Sequence, residues 1–233
     1  MTPTFLDHLI AFTLLAVIPL LARWNYPRHR EKIRADPRAR RGLYRNTIAQ
    51  QWLFVAFVLG VWFALGRGCA ALGLVVPSGI RTYVGLAITA VGLALLRLQL
   101  TLVRRGGEDA LAAVRAQLTA VDELMPRTAT EARWFGAMSV TAGICEEVLY
   151  RGFLIAYLAV LLGTWPAVVA GAVIFAFGHL YQGVANAAKS SVFALLAGVL
   201  YVACGSLLWP MILHAALDLT GGTLGRMALG DRR

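Results

Sequence analysis

The stretch Trp134–Leu162, WFGAMSVTAGICEEVLYRGFLIAYLAVLL, is long and apolar enough to cross a membrane, yet it carries Glu146, Glu147 and Arg151 near its middle. A bilayer core about 30 Å thick takes roughly 20 helical residues to cross. An ionised side chain at its centre costs on the order of 3 kcal/mol even on the mildest insertion scale. Charges kept there face a bundle interior rather than lipid, so the stretch predicts one helix of an all-α, polytopic transmembrane bundle.

The rest of the chain agrees. Of its 233 residues, 59% are hydrophobic and 15% charged, with a mean hydropathy of +0.68, which excludes a single soluble domain of ordinary composition. A net charge of +10 would fit a nucleic-acid partner only if the basic residues shared a folded polar face. Here they punctuate apolar runs, and no nucleic acid is expected. Cys69, Cys145 and Cys204 have no paired spacing and read as packing residues.

Seven segments are apolar enough to span: Phe5–Leu21, Ile48–Leu65, Tyr83–Val103, Trp134–Leu162, Trp165–Tyr181, Ser190–Cys204 and Leu207–Leu219. The first lacks a basic leader and a clear cleavage site, so it reads as a retained anchor. Lys and Arg near span ends set orientation. The first loop carries nine, from Arg23 to Arg45; the link between the third and fourth spans carries five; Lys189, Arg226, Arg232 and Arg233 add four. Eighteen on one side face two, Arg67 and Arg81, on the other, while Arg97 and Arg151 lie within spans. The expected topology has the N-terminus outside and the C-terminus cytoplasmic, in a cell inner (plasma) membrane, with the basic loop against anionic lipid. Leu111, Val114, Leu118, Val121 and Met125 fall at helical spacing within Glu108–Met125, predicting an amphipathic interfacial helix. The chain thus divides into N-terminal transmembrane helices (1–106), an interfacial segment (107–130), a core (131–220) and a short tail (221–233).

Five ionisable residues fall inside apolar stretches: Glu146, Glu147, His179, His214 and Asp218. Together they predict a site. Glu147 and Arg151, four apart, neutralise one another on one helix face, while Glu146 points about 100° away with no local cation. That leaves Glu146 free to take a proton from water. Phe175 and His179 share a face, as do His214 and Asp218, where the carboxylate can fix the imidazole tautomer.

Glu-Glu-x-x-x-Arg, Phe-x-x-x-His and His-x-x-x-Asp, in this order on successive apolar helices, closely resemble the motifs of the CAAX protease and bacteriocin-processing family. The match extends through EEVLYRGFL (146–154), FAFGHL (175–180) and ILHAALD (212–218), within roughly residues 131–220. The family is similar in fold to the type II CAAX prenyl endopeptidase. The resemblance implies an intramembrane glutamic-type endopeptidase acting on a membrane-associated protein or peptide. By motif, Glu146 and His179 would activate water, and His214 and Asp218 would bind the scissile carbonyl and its oxyanion; Glu147, Arg151 and Phe175 would support them. The family often has asparagine where this chain has Asp218.

No cofactor is expected on this reading. A zinc-dependent variant would use Glu146, His179 and His214, but the chain has no His-Glu-x-x-His helix. A proton-coupled transporter would also keep buried charges, though no inverted repeat is visible. A non-catalytic scaffold would tolerate Glu146→Gln. One geometric tension stands. With the fifth and seventh spans running the same way, His179 lies about 21 Å along its helix and His214 about 10 Å, so convergence needs other boundaries, tilt or a bend near Pro210.

Overall fold

A computed structural model describes residues 2–230, and among them all regular structure is helical. The first rod comprises α1 (Phe5–Phe12), a wider π-type turn (Thr13–Val17) and α2 (Ile18–Ala35). Pro19, which cannot donate a backbone hydrogen bond, stands two residues after that turn. Then come α3 (Ala39–Ala64), a short 3₁₀ turn (Cys69–Leu72), α4 (Ile80–Arg105) and α5 (Gly107–Leu118). A second rod comprises α6 (Ala129–Glu146), a π-type segment (Glu147–Leu154) and α7 (Ile155–Leu162). The chain ends with α8 (Thr164–Gly178), α9 (Val184–Cys204) and α10 (Leu208–Leu229).

Contacts sort the chain between two ends. At one, Arg67 binds Asp7 and the Thr2 carbonyl, and His8 meets Tyr157. At the other, Arg30 and Arg34 bind Glu123, while Arg115 and Arg127 donate to the carbonyls of Ala228 and Leu229. Among the described residues the two rods, α3, α4 and α8 run between these ends, while α9 and α10 join in a turn inside the bundle. By length and composition alone, four helices can cross a membrane: Phe5–Ala35, Ala39–Ala64, Ile80–Arg105 and Val184–Cys204. The basic residues gather at the second end, except Arg67, Arg81, Arg97 and Arg151; Arg232 and Arg233 lie outside the described residues.

The centre is the π-type segment. All of Glu147–Leu154 is buried, and Trp62, Leu72, Cys145, Phe153, Phe175 and Leu207 belong to the same apolar core. Gly152 permits its closest approach, since a Cβ there would stand 3.0 Å from the Leu72 carbonyl oxygen. α10 packs along α6 and α4. A Cβ on Gly143 would come within 2.8 Å of the Ala215 backbone nitrogen, so only glycine lets α10 close onto α6 at the height of His214.

Four expectations change. The first "loop", with its nine basic residues, is mostly helix: α2 carries Arg23 to Arg34, α3 carries Arg40 to Arg45, and the turn is Asp36–Arg38. Lys32 and Arg34 lie in the last turn, where cations complement the helix dipole, and Glu123 anchors the extension. The amphipathic helix stops at Leu118, where the Thr119 hydroxyl donates back to the Ala116 carbonyl; a separate 3₁₀ turn (Asp122–Leu124) then meets the arginines. Cys145 and Cys204 are buried, but Cys69 is exposed rather than packed. α10 runs to Leu229, so residues 221–229, read as tail, are helical.

Candidate functional site

His214 stands at the meeting point of α10, the second rod and α8. Its Nδ1 donates to Glu147 Oε1 at 2.7 Å. This fixes the ring, because an ionised carboxylate only accepts. The other nitrogen, Nε2, is 3.9 Å from Glu146 Oε2 and 3.8 Å from Asp218 Oδ2, too far for direct hydrogen bonds. The tautomer is thus set by Glu147, not by Asp218 four residues along the same helix. Glu147 also stands 3.0 Å from Arg151 Nη1, and both side chains are sealed, at 0% and 2% exposure.

Arg151 is held by rings as much as by charge. Its guanidinium lies 4.5 Å from the Phe175 ring centroid and 5.7 Å from that of Phe193. Neither Nη makes an aligned hydrogen bond, and Glu147 Oε2 has no partner. Glu146 differs from its neighbour: its side chain is 19% exposed, and its Oε1 accepts from Gln51 Nε2 at 2.8 Å. Asp218, at 38%, is the most open of the acidic groups around His214.

His179 caps the end of α8, where its Nδ1 donates to the Phe175 carbonyl at 2.9 Å. In the neutral ring that leaves the lone pair on Nε2. Phe175 touches both histidines, with ring centroids 4.4 Å from His179 and 6.1 Å from His214. The two imidazoles therefore flank one aromatic ring.

Moved boundaries do not explain this, since α10 starts only one residue later than expected. Its first turn is sunk into the bundle. Ser206 and Leu207 are fully buried; the Leu207 amide donates to the Gly73 carbonyl at 2.9 Å and the Ser206 hydroxyl to that of Val75 at 2.6 Å. Leu207 packs at the level of Gly152, ten residues before the end of α7, so α10 begins roughly 15 Å deeper than α8. Irregular backbone at such depth is tolerated where protein covers it.

The structure thus gathers Glu146, Glu147, Arg151, Phe175, His179, His214 and Asp218 around one place. Two contributors carry no charge and escaped the sequence reading: Gln51, and Phe193, whose ring centroid is 5.0 Å from that of His214. The amide pair Gln50-Gln51 at the start of an apolar span was the available signal for the first; nothing distinguishes the second. Among the described residues no group of three or more His, Cys, Asp or Glu is placed to hold a metal ion.

Residues 128–220 match the family model described as "Type II CAAX prenyl endopeptidase Rce1-like". The segment begins at Thr128, which caps α6, and ends at Thr220 in α10, so it holds the three motifs and excludes α1–α5. No curated protein and no solved structure matches the chain. The match supports a CAAX-type intramembrane protease in general, in an integral membrane protein.

Proposed function

We propose that this protein is a glutamate-dependent intramembrane endopeptidase that hydrolyses a peptide bond in a membrane-associated protein or peptide. The observation that carries this reading is the stand-off at His214 Nε2, with carboxylate oxygens 3.9 and 3.8 Å away in a site that is not sealed.

In this scheme Glu146 Oε2 takes a proton from water as the oxygen attacks the scissile carbonyl. The Nε2 lone pair of His179 accepts the water's other hydrogen and orients the nucleophile. His214 faces the developing oxyanion through Nε2, and a proton carried there donates to it. Glu147 holds that ring from behind at Nδ1. Asp218 adds an acceptor or, when protonated, a second donor beside the same oxygen. Proton return to the departing amine from Glu146 completes hydrolysis. The basic end faces the cytoplasm by the positive-inside rule. The same end meets anionic lipid through exposed Arg23, Arg28, Arg38 and Arg41, whereas Arg30, Arg34 and Arg40 are engaged within the protein.

The test is reconstitution in liposomes with prenylated and unprenylated membrane-anchored peptides, following cleavage by mass spectrometry. Wild type should cleave at least one class, with chelator present. Glu146→Gln and His214→Ala should each lose activity by about 10²–10⁴-fold. Full activity in Glu146→Gln, or chelator inhibition reversed by zinc, would overturn the mechanism.

A further inference from the structure

Gln51 reaches the site from α3, outside the segment that matches the protease family. Its amide nitrogen donates to Glu146 Oε1 at 2.8 Å. The orientation follows from chemistry, because the carboxylate offers only acceptors and the NH₂ end must face it. Gln51 Oε1 is buried with no hydrogen-bond partner. An unpaired buried carbonyl oxygen costs stability, so a residue kept at that cost needs another reason.

Docking of α3 on α6 is not that reason, since other contacts already provide it. Arg40 Nη1 binds Glu131 Oε1 at 2.9 Å, the Trp52 indole donates to Thr141 Oγ1 at 3.3 Å, and the rings of Tyr44 and Phe135 meet edge to face at 5.6 Å. These contacts bracket Gln51 along α3. What Gln51 adds is direction at Glu146: with Oε1 held, the carboxylate plane is set and Oε2 becomes the oxygen that looks toward His214 Nε2.

We propose that Gln51 is a positioning residue for hydrolysis, holding Glu146 through Oε1 so that Oε2 is the oxygen that takes the proton from water. The inference rests on the reading of Glu146 as the general base. It also gives the N-terminal helices a part in the chemistry, through one neutral side chain.

The decisive variant is Gln51→Leu, of similar size and without the amide. It should lower kcat about ten- to a hundredfold with KM within about twofold, while the melting temperature in detergent stays the same or rises, because an unpaired buried oxygen has been removed. A structural tie would give the reverse, lower stability with kcat per folded molecule intact. Infrared difference spectra should show the carboxylate stretch of Glu146, assigned by its loss in Glu146→Gln, displaced in Gln51→Leu. Gln51→Met serves the same measurements if the leucine variant misfolds. Wild-type kcat with an undisplaced band overturns the role of Gln51 alone. Absence of cleavage by wild type, or full activity in Glu146→Gln, overturns the catalytic reading and this role with it.

Discussion

Buried charges occur in two regions of this protein and are treated in opposite ways. Around the N-terminal helices they are closed off. Arg67 grips both oxygens of Asp7 at 2.6 and 2.7 Å, Arg30 grips both of Glu123 at 2.8 Å, and Arg40 binds Glu131 and the Glu123 carbonyl. Forked guanidinium–carboxylate pairs of this kind satisfy both partners and fix geometry. Around His214, deeper in the segment 128–220, the charges are left open. His214 Nε2 stands away from two carboxylates, Glu147 Oε2 has no partner, and the Arg151 guanidinium is faced by aromatic rings. A satisfied pair is a joint between elements; an unsatisfied cluster is poised to act on something else.

The sharpest way to break the comparison is at a joint. Asp7→Asn leaves the Arg67 charge without its counter-ion and should cost about 3–5 kcal/mol of stability. Thermal unfolding in detergent measures the loss, and cleavage per folded molecule should be unchanged. Glu147→Ala tests the border between the classes, because Glu147 serves both Arg151 and His214. It should lose about 2–4 kcal/mol of stability and also about ten- to a hundredfold in kcat. Loss of only one of the two would move Glu147 wholly into one class.

The smallest expected effect lies at the basic end, outside the spans. Burial would raise the Glu123 carboxyl, but hydrogen bonding with Asp122, Arg30 and Arg34 outweighs it and holds the group at about 2. A carboxyl lowered in the folded state stabilises fully above its ordinary value of 4.5, and that stabilisation fades as pH falls toward 2. Asp122 beside it moves upward, chiefly through burial, and offsets part of the effect. Between pH 6 and pH 3 wild type should therefore lose about 1–3 kcal/mol more than Glu123→Gln does, read as the difference in their melting curves. Parallel curves would remove Glu123 from the joints.

Much of this contrast was legible in the sequence, for a physical reason. Charge in an apolar run is conspicuous, so Glu146, Glu147, Arg151, His179, His214 and Asp218 could be picked out one by one, and their helices followed from apolar length. What decides how they meet is not written in charge. The π-type turn at Glu147–Leu154 and the sunken α9–α10 turn depend on packing of Gly152, Leu72 and Leu207, which look like any other apolar residues. Gln51 is neutral and sits near the end of a span. The partners of Arg30, Arg34 and Arg40 lie some 80 to 90 positions away, beyond the reach of local spacing, so a helical extension read as a loop.

The central claim is that Glu146 belongs to the open class while Asp7 belongs to the closed one, and one paired measurement addresses it. Glu146→Gln and Asp7→Asn are purified side by side, and each is scored for melting temperature and for cleavage of the same liposome-anchored peptide. The account predicts a crossed result: Glu146→Gln melts with wild type and does not cleave, whereas Asp7→Asn melts early and cleaves normally while folded. Glu146→Gln that cleaves like wild type, or that loses activity only because it unfolds, would contradict it.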